Sequence, residues 1–126
     1  MNQLKNGLMV LYGALILTLV ALYNGFPLVY SDTGTYIYSG FDLFVPVDRP
    51  VVYGLLIRVF SLKFSLWIVI LMQNLMTAFM LFEVVSHFFE GKVRFLQIYF
   101  GLILFLTFFT GIAWYSNQLM PDFFIP

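Results

Sequence analysis

The chain has 126 residues, 62% of them hydrophobic and 10% charged, whereas soluble domains carry roughly 45–50% apolar and about 25% charged residues. This composition excludes an ordinary water-soluble domain and points to an all-α integral membrane protein. Six basic and six acidic residues leave no net charge, so nothing favours nucleic acid or an anionic surface as a partner; the lack of cysteine excludes disulfides and thiolate metal sites.

Gly7 to Tyr23 is apolar apart from Thr18, and with its flanks it predicts a first span over about residues 7–27, near the ~20 residues that cross a hydrocarbon core. No small-x-small cleavage site follows, so the stretch reads as a retained signal anchor. Residues 28–50 then read as an exterior loop rich in Tyr, Gly and Asp, with about one helical turn after Ser31-Asp32. Pro50 suits the first turn of a helix. Over residues 50–62, Val51, Val52, Leu55, Leu56, Val59 and Leu62 fall on one side and Gly54, Arg58 and Ser61 on the other, the pattern of an interfacial helix.

A second span is predicted over 64–84 and a third over 95–115. Lys5, Lys63, Lys92 and Arg94 stand at span ends, where basic side chains reach headgroups, and Trp67, Trp114 and Tyr115 suit the interfacial aromatic belts. His87 falls in the turn between the last two spans, away from every Asp. Lys5, Lys92 and Arg94 lie on one side of the membrane and Arg49, Arg58 and Lys63 on the other, so the free amino terminus tips the orientation. We place that terminus in the cytoplasm, in a bacterial inner membrane. Asp32, Asp42, Asp48 and Asp122 then share the exterior face.

Asp32, just past the first span, has the chemistry of a general base or a cation ligand; its bland alternative is a helix cap. Arg49 offers the guanidinium fork that matches a phosphate, or else pairs with neighbouring Asp48. Asp122, after Pro121, is a second acidic group or another cap. Gln73 and Asn74 inside the second span are expected to hydrogen-bond neighbouring helices, at about 0.6–2 kcal/mol each.

In chain order, Asp32-Thr-Gly-Thr-Tyr36, Arg49-Pro50-Val-Val-Tyr53, Gln73, Lys92-Val-Arg94 and Pro121-Asp122 resemble the opening of a GT-C superfamily glycosyltransferase. That superfamily uses polyprenyl-phosphate sugars and includes the dolichyl-phosphate-mannose protein mannosyltransferases and lipid A aminoarabinose transferases. The resemblance implies that Asp32 is the catalytic base. Arg49 would lie at the donor phosphate, with Tyr36, Tyr53 and Asp122 also in the substrate site. Metal dependence varies within the superfamily, so a divalent cation is compatible with it. Its members have many more spans, so this chain is expected to be the amino-terminal part of a larger polytopic protein and inactive alone. Its partners would be the bilayer, the lipid-linked sugar donor and further membrane helices. The rival expectation is a small non-enzymatic membrane subunit that packs through Gln73 and Asn74, with Asp32 and Asp122 as caps and Arg58 and Lys63 as interface anchors. A transporter fragment fits less well, since no span carries a charge at its middle.

Overall fold

A computed structural model describes residues 3–47, 49–89 and 94–121. Asp48, Lys92 and Asp122 therefore lie outside the described residues. The described chain is helical, in the order α1 (Gln3–Asn24), α2 (Thr33–Asp42), α3 (Val51–Ser61), α4 (Leu66–Phe89), α5 (Phe95–Phe109) and α6 (Ile112–Ser116). Helices α1 and α4, of 22 and 24 residues, are long and apolar enough to cross a membrane.

Helix α1 ends where Gly25 takes a φ of 81°, a left-handed geometry that glycine adopts without the Cβ clash. The loop after it holds more structure than one turn. Helix α2 runs for ten residues, although Thr, Gly, Tyr, Ile and Ser are middling or poor helix formers, because it packs lengthwise on α3. Contacts advance in the same direction along both helices. Asp32 meets Arg49, the Tyr36 ring meets Tyr53, and Arg58 Nη1 donates to the carbonyls of Gly40 and Phe41 at 3.2 and 3.3 Å. The two helices thus run side by side in the same sense, with both amino termini at one end. They approach closely where neither has a side chain: a Cβ on Gly40 would come within 2.1 Å of the Gly54 carbonyl oxygen.

This packing turns the small and polar side of α3 against protein. Its Gly54 and Ser61 stripe is buried, together with Tyr53 and Ile57, while Val52, Val59 and Leu62 on the apolar side are 62–70% exposed. The small-residue stripe faces protein because only small residues permit the contact with α2. Leu62 and Lys63 then take left-handed φ values of 50° and 60° and turn the chain into α4, whose amino-terminal Trp67 N–H donates to Ser65 Oγ at 3.2 Å.

Helix α4 runs five residues past the end expected at residue 84, so His87 sits in its last turn. Glu83, Ser86 and His87 give the segment a loop-like composition, yet Phe82 and Val85 keep the helical inward spacing and are 6% and 3% exposed. The expected third span is divided. Helix α5 covers 15 residues, about 22 Å at 1.5 Å per residue, and Thr110 is extended at φ −132°, ψ 169°. Thr110 Oγ1 donates to the Leu106 carbonyl and accepts from the Ile112 N–H, a local exchange that competes with helix continuation. The short α6 follows and turns inward.

Two apolar clusters stack along α1 and α4. One joins Leu17, Ala78, Phe82, Tyr99 and Ile103; the other joins Ala21, Tyr36, Tyr53, Ile57, Val69, Ile70 and Leu119 at the α2/α3 end. Between them lies a polar layer. Asn74 Nδ2 donates to Thr18 Oγ1 at 3.0 Å and to Asn117 Oδ1 at 2.9 Å, and Asn117 Nδ2 donates to the Leu17 carbonyl at 2.7 Å. Asn74 therefore bonds neighbouring helices, as its position predicts.

Candidate functional site

The site lies at the end of the molecule where α2 and α3 begin. Asp32 precedes α2, but its carboxylate makes no capping hydrogen bond. The local turn is closed instead by Thr33, whose Oγ1 accepts from the Tyr30 N–H at 2.9 Å and donates to the Leu119 carbonyl at 3.1 Å. Asp32 is thereby left to side-chain chemistry. It accepts from Ser31 Oγ at 3.1 Å and forms an ion pair with Arg49 Nη1 through its other oxygen. The two side chains are 28% and 27% exposed, so the pair sits at a boundary, screened on one side and open on the other.

Beneath it lie the two tyrosines. Arg49 Cζ is 6.0 Å from the Tyr36 ring centroid, at the outer reach of a cation–π contact. Tyr36 meets Tyr53 edge to face, with centroids 5.3 Å apart and an interplanar angle of 87°. Tyr36 and Tyr53 are 4% and 3% exposed, so this is a fixed platform. Burial pushes the Tyr53 phenol well above its ordinary range, a hydrogen bond with Gln73 lowers it in part, and neighbouring Tyr36 raises it slightly; the phenol stays protonated.

Four residues singled out in the sequence, Asp32, Tyr36, Arg49 and Tyr53, are thus brought together. The fifth, Asp122, lies outside the described residues, although the chain leading to it is pinned at this same end. Leu28 N–H donates to the Asn117 carbonyl at 3.0 Å and Leu119 N–H to the Leu28 carbonyl at 2.9 Å, while Gln73 Nε2 donates to the Gln118 carbonyl at 3.3 Å. Leu119, Met120 and Pro121 are buried.

Two residues matter here that sequence reasoning did not place in the site. Gln73 holds the strand-like 117–119 segment through the Gln118 carbonyl, and Thr33 ties the start of α2 to Leu119. The amide in an apolar span was a signal for Gln73; for Thr33 there was none. Gln73 and Asn74 are 1% and 0% exposed and bond this chain's own groups. Among the described residues, no three His, Cys, Asp or Glu side chains are grouped to hold a metal.

Chemically, the arrangement presents a carboxylate that can take a proton and a guanidinium that can neutralise a phosphate, side by side above an aromatic floor. Compared with models of known protein families, with curated proteins and with solved structures, the chain matches none.

Proposed function

We propose that this chain is the membrane-embedded amino-terminal part of a glycosyltransferase that moves a sugar from a polyprenyl phosphate to an acceptor hydroxyl. The observation that carries the reading is the convergence of Asp32 and Arg49 over Tyr36 and Tyr53 at one end of the helices. A base and a phosphate-sized cation are the two groups that such a transfer requires. In the step itself, the acceptor O–H gives its proton to the Asp32 carboxylate as its oxygen bonds the anomeric carbon. The bond from that carbon to the phosphate oxygen breaks, and the leaving polyprenyl phosphate keeps the electron pair, its charge offset by Arg49. Arg49 exchanges Asp32 for phosphate as the donor binds, which makes the base available when the substrate is in place.

A bilayer location, with α1, α4 and the α5–α6 segment each crossing, is supported by the apolar exterior. Leu8, Leu15, Leu19 and Leu22 on α1 and Phe105, Phe108 and Phe109 on α5 are all more than 40% exposed, a surface that water does not tolerate at this extent and lipid does. The outward apolar side of α3 fits the same solvent. The break at Thr110 is compatible with a membrane because the non-helical backbone after it is held by protein. With three basic side chains on each side, the free amino terminus is what assigns the Asp32 end to the exterior. The accessory-subunit reading gains nothing from the fold, since the amides meant to grip a partner are buried within the chain.

The test is sugar transfer in membranes carrying the whole native gene product, assayed with a panel of polyprenyl-phosphate sugars. Asp32→Asn is expected to lower transfer by about 10²-fold or more, the usual range for a lost general base, with membrane abundance unchanged. Transfer at the wild-type rate would overturn the assignment.

A further inference from the structure

Ser31 and Asp32 are the two central residues of a turn that is closed twice. The Thr33 N–H donates to the Tyr30 carbonyl at 3.1 Å, and the Tyr30 N–H donates to Thr33 Oγ1 at 2.9 Å. Asp32 has φ −92° and ψ −13°, the values of the third residue of a type I turn. Thr33 Oγ1 is in turn anchored to the carbonyl of Leu119, which is 0% exposed. The backbone that carries Ser31 and Asp32 is therefore held to the core, and the two side chains keep a fixed relation to each other.

On that turn the Asp32 carboxylate is held at both oxygens. Arg49 Nη1 pairs with Oδ2, and Ser31 Oγ donates to Oδ1 at 3.1 Å. The two partners are unequal. Arg49 stands 17 positions away in sequence and, in the reaction proposed above, moves to the donor phosphate. Ser31 is the adjoining residue of the same closed turn and stays. Without it, the carboxylate would turn once Arg49 leaves, since the last torsion of an Asp side chain is broad and two-fold.

We infer that Ser31 is the positioning residue of the base. It keeps Oδ1 occupied, so that Oδ2, the oxygen Arg49 vacates, takes the acceptor's proton. On the glycosyl-transfer reading, on which this rests, proton and phosphate are then received side by side. A hydroxyl suits the role because it donates a hydrogen bond without a charge that would compete with Arg49 for the phosphate. Ser31 acts through Asp32 and forms no bond to the sugar. Such positioning counts, because a misplacement of about 1 Å can cost about 10²-fold in rate.

The experiment uses the whole native gene product. Sugar transfer from polyprenyl-phosphate sugars and binding of polyprenyl phosphate by native mass spectrometry are compared for wild type, Ser31→Ala, Ser31→Thr and Asp32→Asn. Ser31→Ala is expected to lower kcat about tenfold or more, the loss expected for one hydrogen bond to a charged group. Its donor KM and its polyprenyl-phosphate binding should stay at the wild-type values, because Arg49 is untouched. Ser31→Thr keeps the hydroxyl and should restore most of kcat, which separates a lost hydrogen bond from a damaged turn. A wild-type kcat in Ser31→Ala, a raised donor KM in place of a lowered kcat, or a Ser31→Thr no better than Ser31→Ala would each overturn the inference. With Asp32→Asn inactive, those results would leave the glycosyl-transfer reading standing. Transfer indifferent to Asp32→Asn, or no transfer by the wild type, would overturn both.

Discussion

Asp32 illustrates how a side chain's role is settled by what its neighbours leave undone. Thr33 takes over the local turn, and the Asp32 carboxylate turns to Arg49. The pair is partly exposed, so its worth to folding is that of a boundary ion pair, about 0.2–1 kcal/mol. Asp32→Asn is therefore expected to leave the thermal unfolding midpoint in detergent nearly unchanged while removing transfer; a midpoint lowered by tens of degrees would mean that the pair is mainly structural. In the sequence these residues stood out only through the order of their motifs, since Asp32 alone reads equally as a helix cap and Arg49 as the partner of a neighbouring acid. Their partners were less legible still. Asp48 adjoins Arg49 in sequence and was the expected alternative partner, whereas the described contact comes from 17 positions away and depends on the mutual direction of two helices.

That direction belongs to the helices themselves. Helix α2 was hidden because its residues have little intrinsic helix preference; its stability comes from α3, which it meets through glycines. Gly54→Ala would place a Cβ 2.3 Å from Ser39 Oγ and 2.7 Å from the Tyr36 carbonyl oxygen, contacts the backbone cannot relieve by a rotamer change. We expect it to cost about 1–3 kcal/mol and to loosen the Asp32–Arg49 end, seen as faster proteolysis of the 28–50 loop. Gly34→Ala meets nothing within 4 Å and should be neutral or stabilising by about 0.5–1 kcal/mol; equal effects from the two would contradict the packing of α2 on α3. The inward turn of the Gly54 and Ser61 side of α3 has the same origin. Its periodicity was readable, but which face turns inward depends on the solvent and on a neighbour that periodicity does not reveal. The division of the third span at Thr110 was carried by one Thr-Gly pair inside an apolar run, too local a signal to outweigh the run's length.

At the scale of the whole molecule, a polar layer between two apolar clusters holds the far end of the chain to α1 and α4. Asn117 is its centre, 0% exposed and bonded to the Leu17 and Ala113 carbonyls and the Asn74 amide. Asn117→Leu would leave those buried groups without a partner, at about 1–3 kcal/mol, and would release the 117–121 segment from Leu28; denaturant unfolding in micelles should register the lost stability as a lowered midpoint. An unchanged midpoint would remove the layer from any structural role. The composition announced the long apolar helices, and the long-range return of residues 117–119 to Leu28 was invisible because it rests on backbone hydrogen bonds with no side-chain pattern. Joined by that return, residues far apart in sequence form one end of the molecule, which we assign to the lipid-linked donor. The most direct test is native mass spectrometry of the purified protein with a polyprenyl phosphate, wild type against Arg49→Ala. One bound polyprenyl phosphate per chain, weakened about tenfold or more by Arg49→Ala, the loss expected when a charge-assisted hydrogen bond of roughly 1.5–3 kcal/mol is removed, is the predicted result; equal binding by the two proteins would contradict the assignment of this end to the donor.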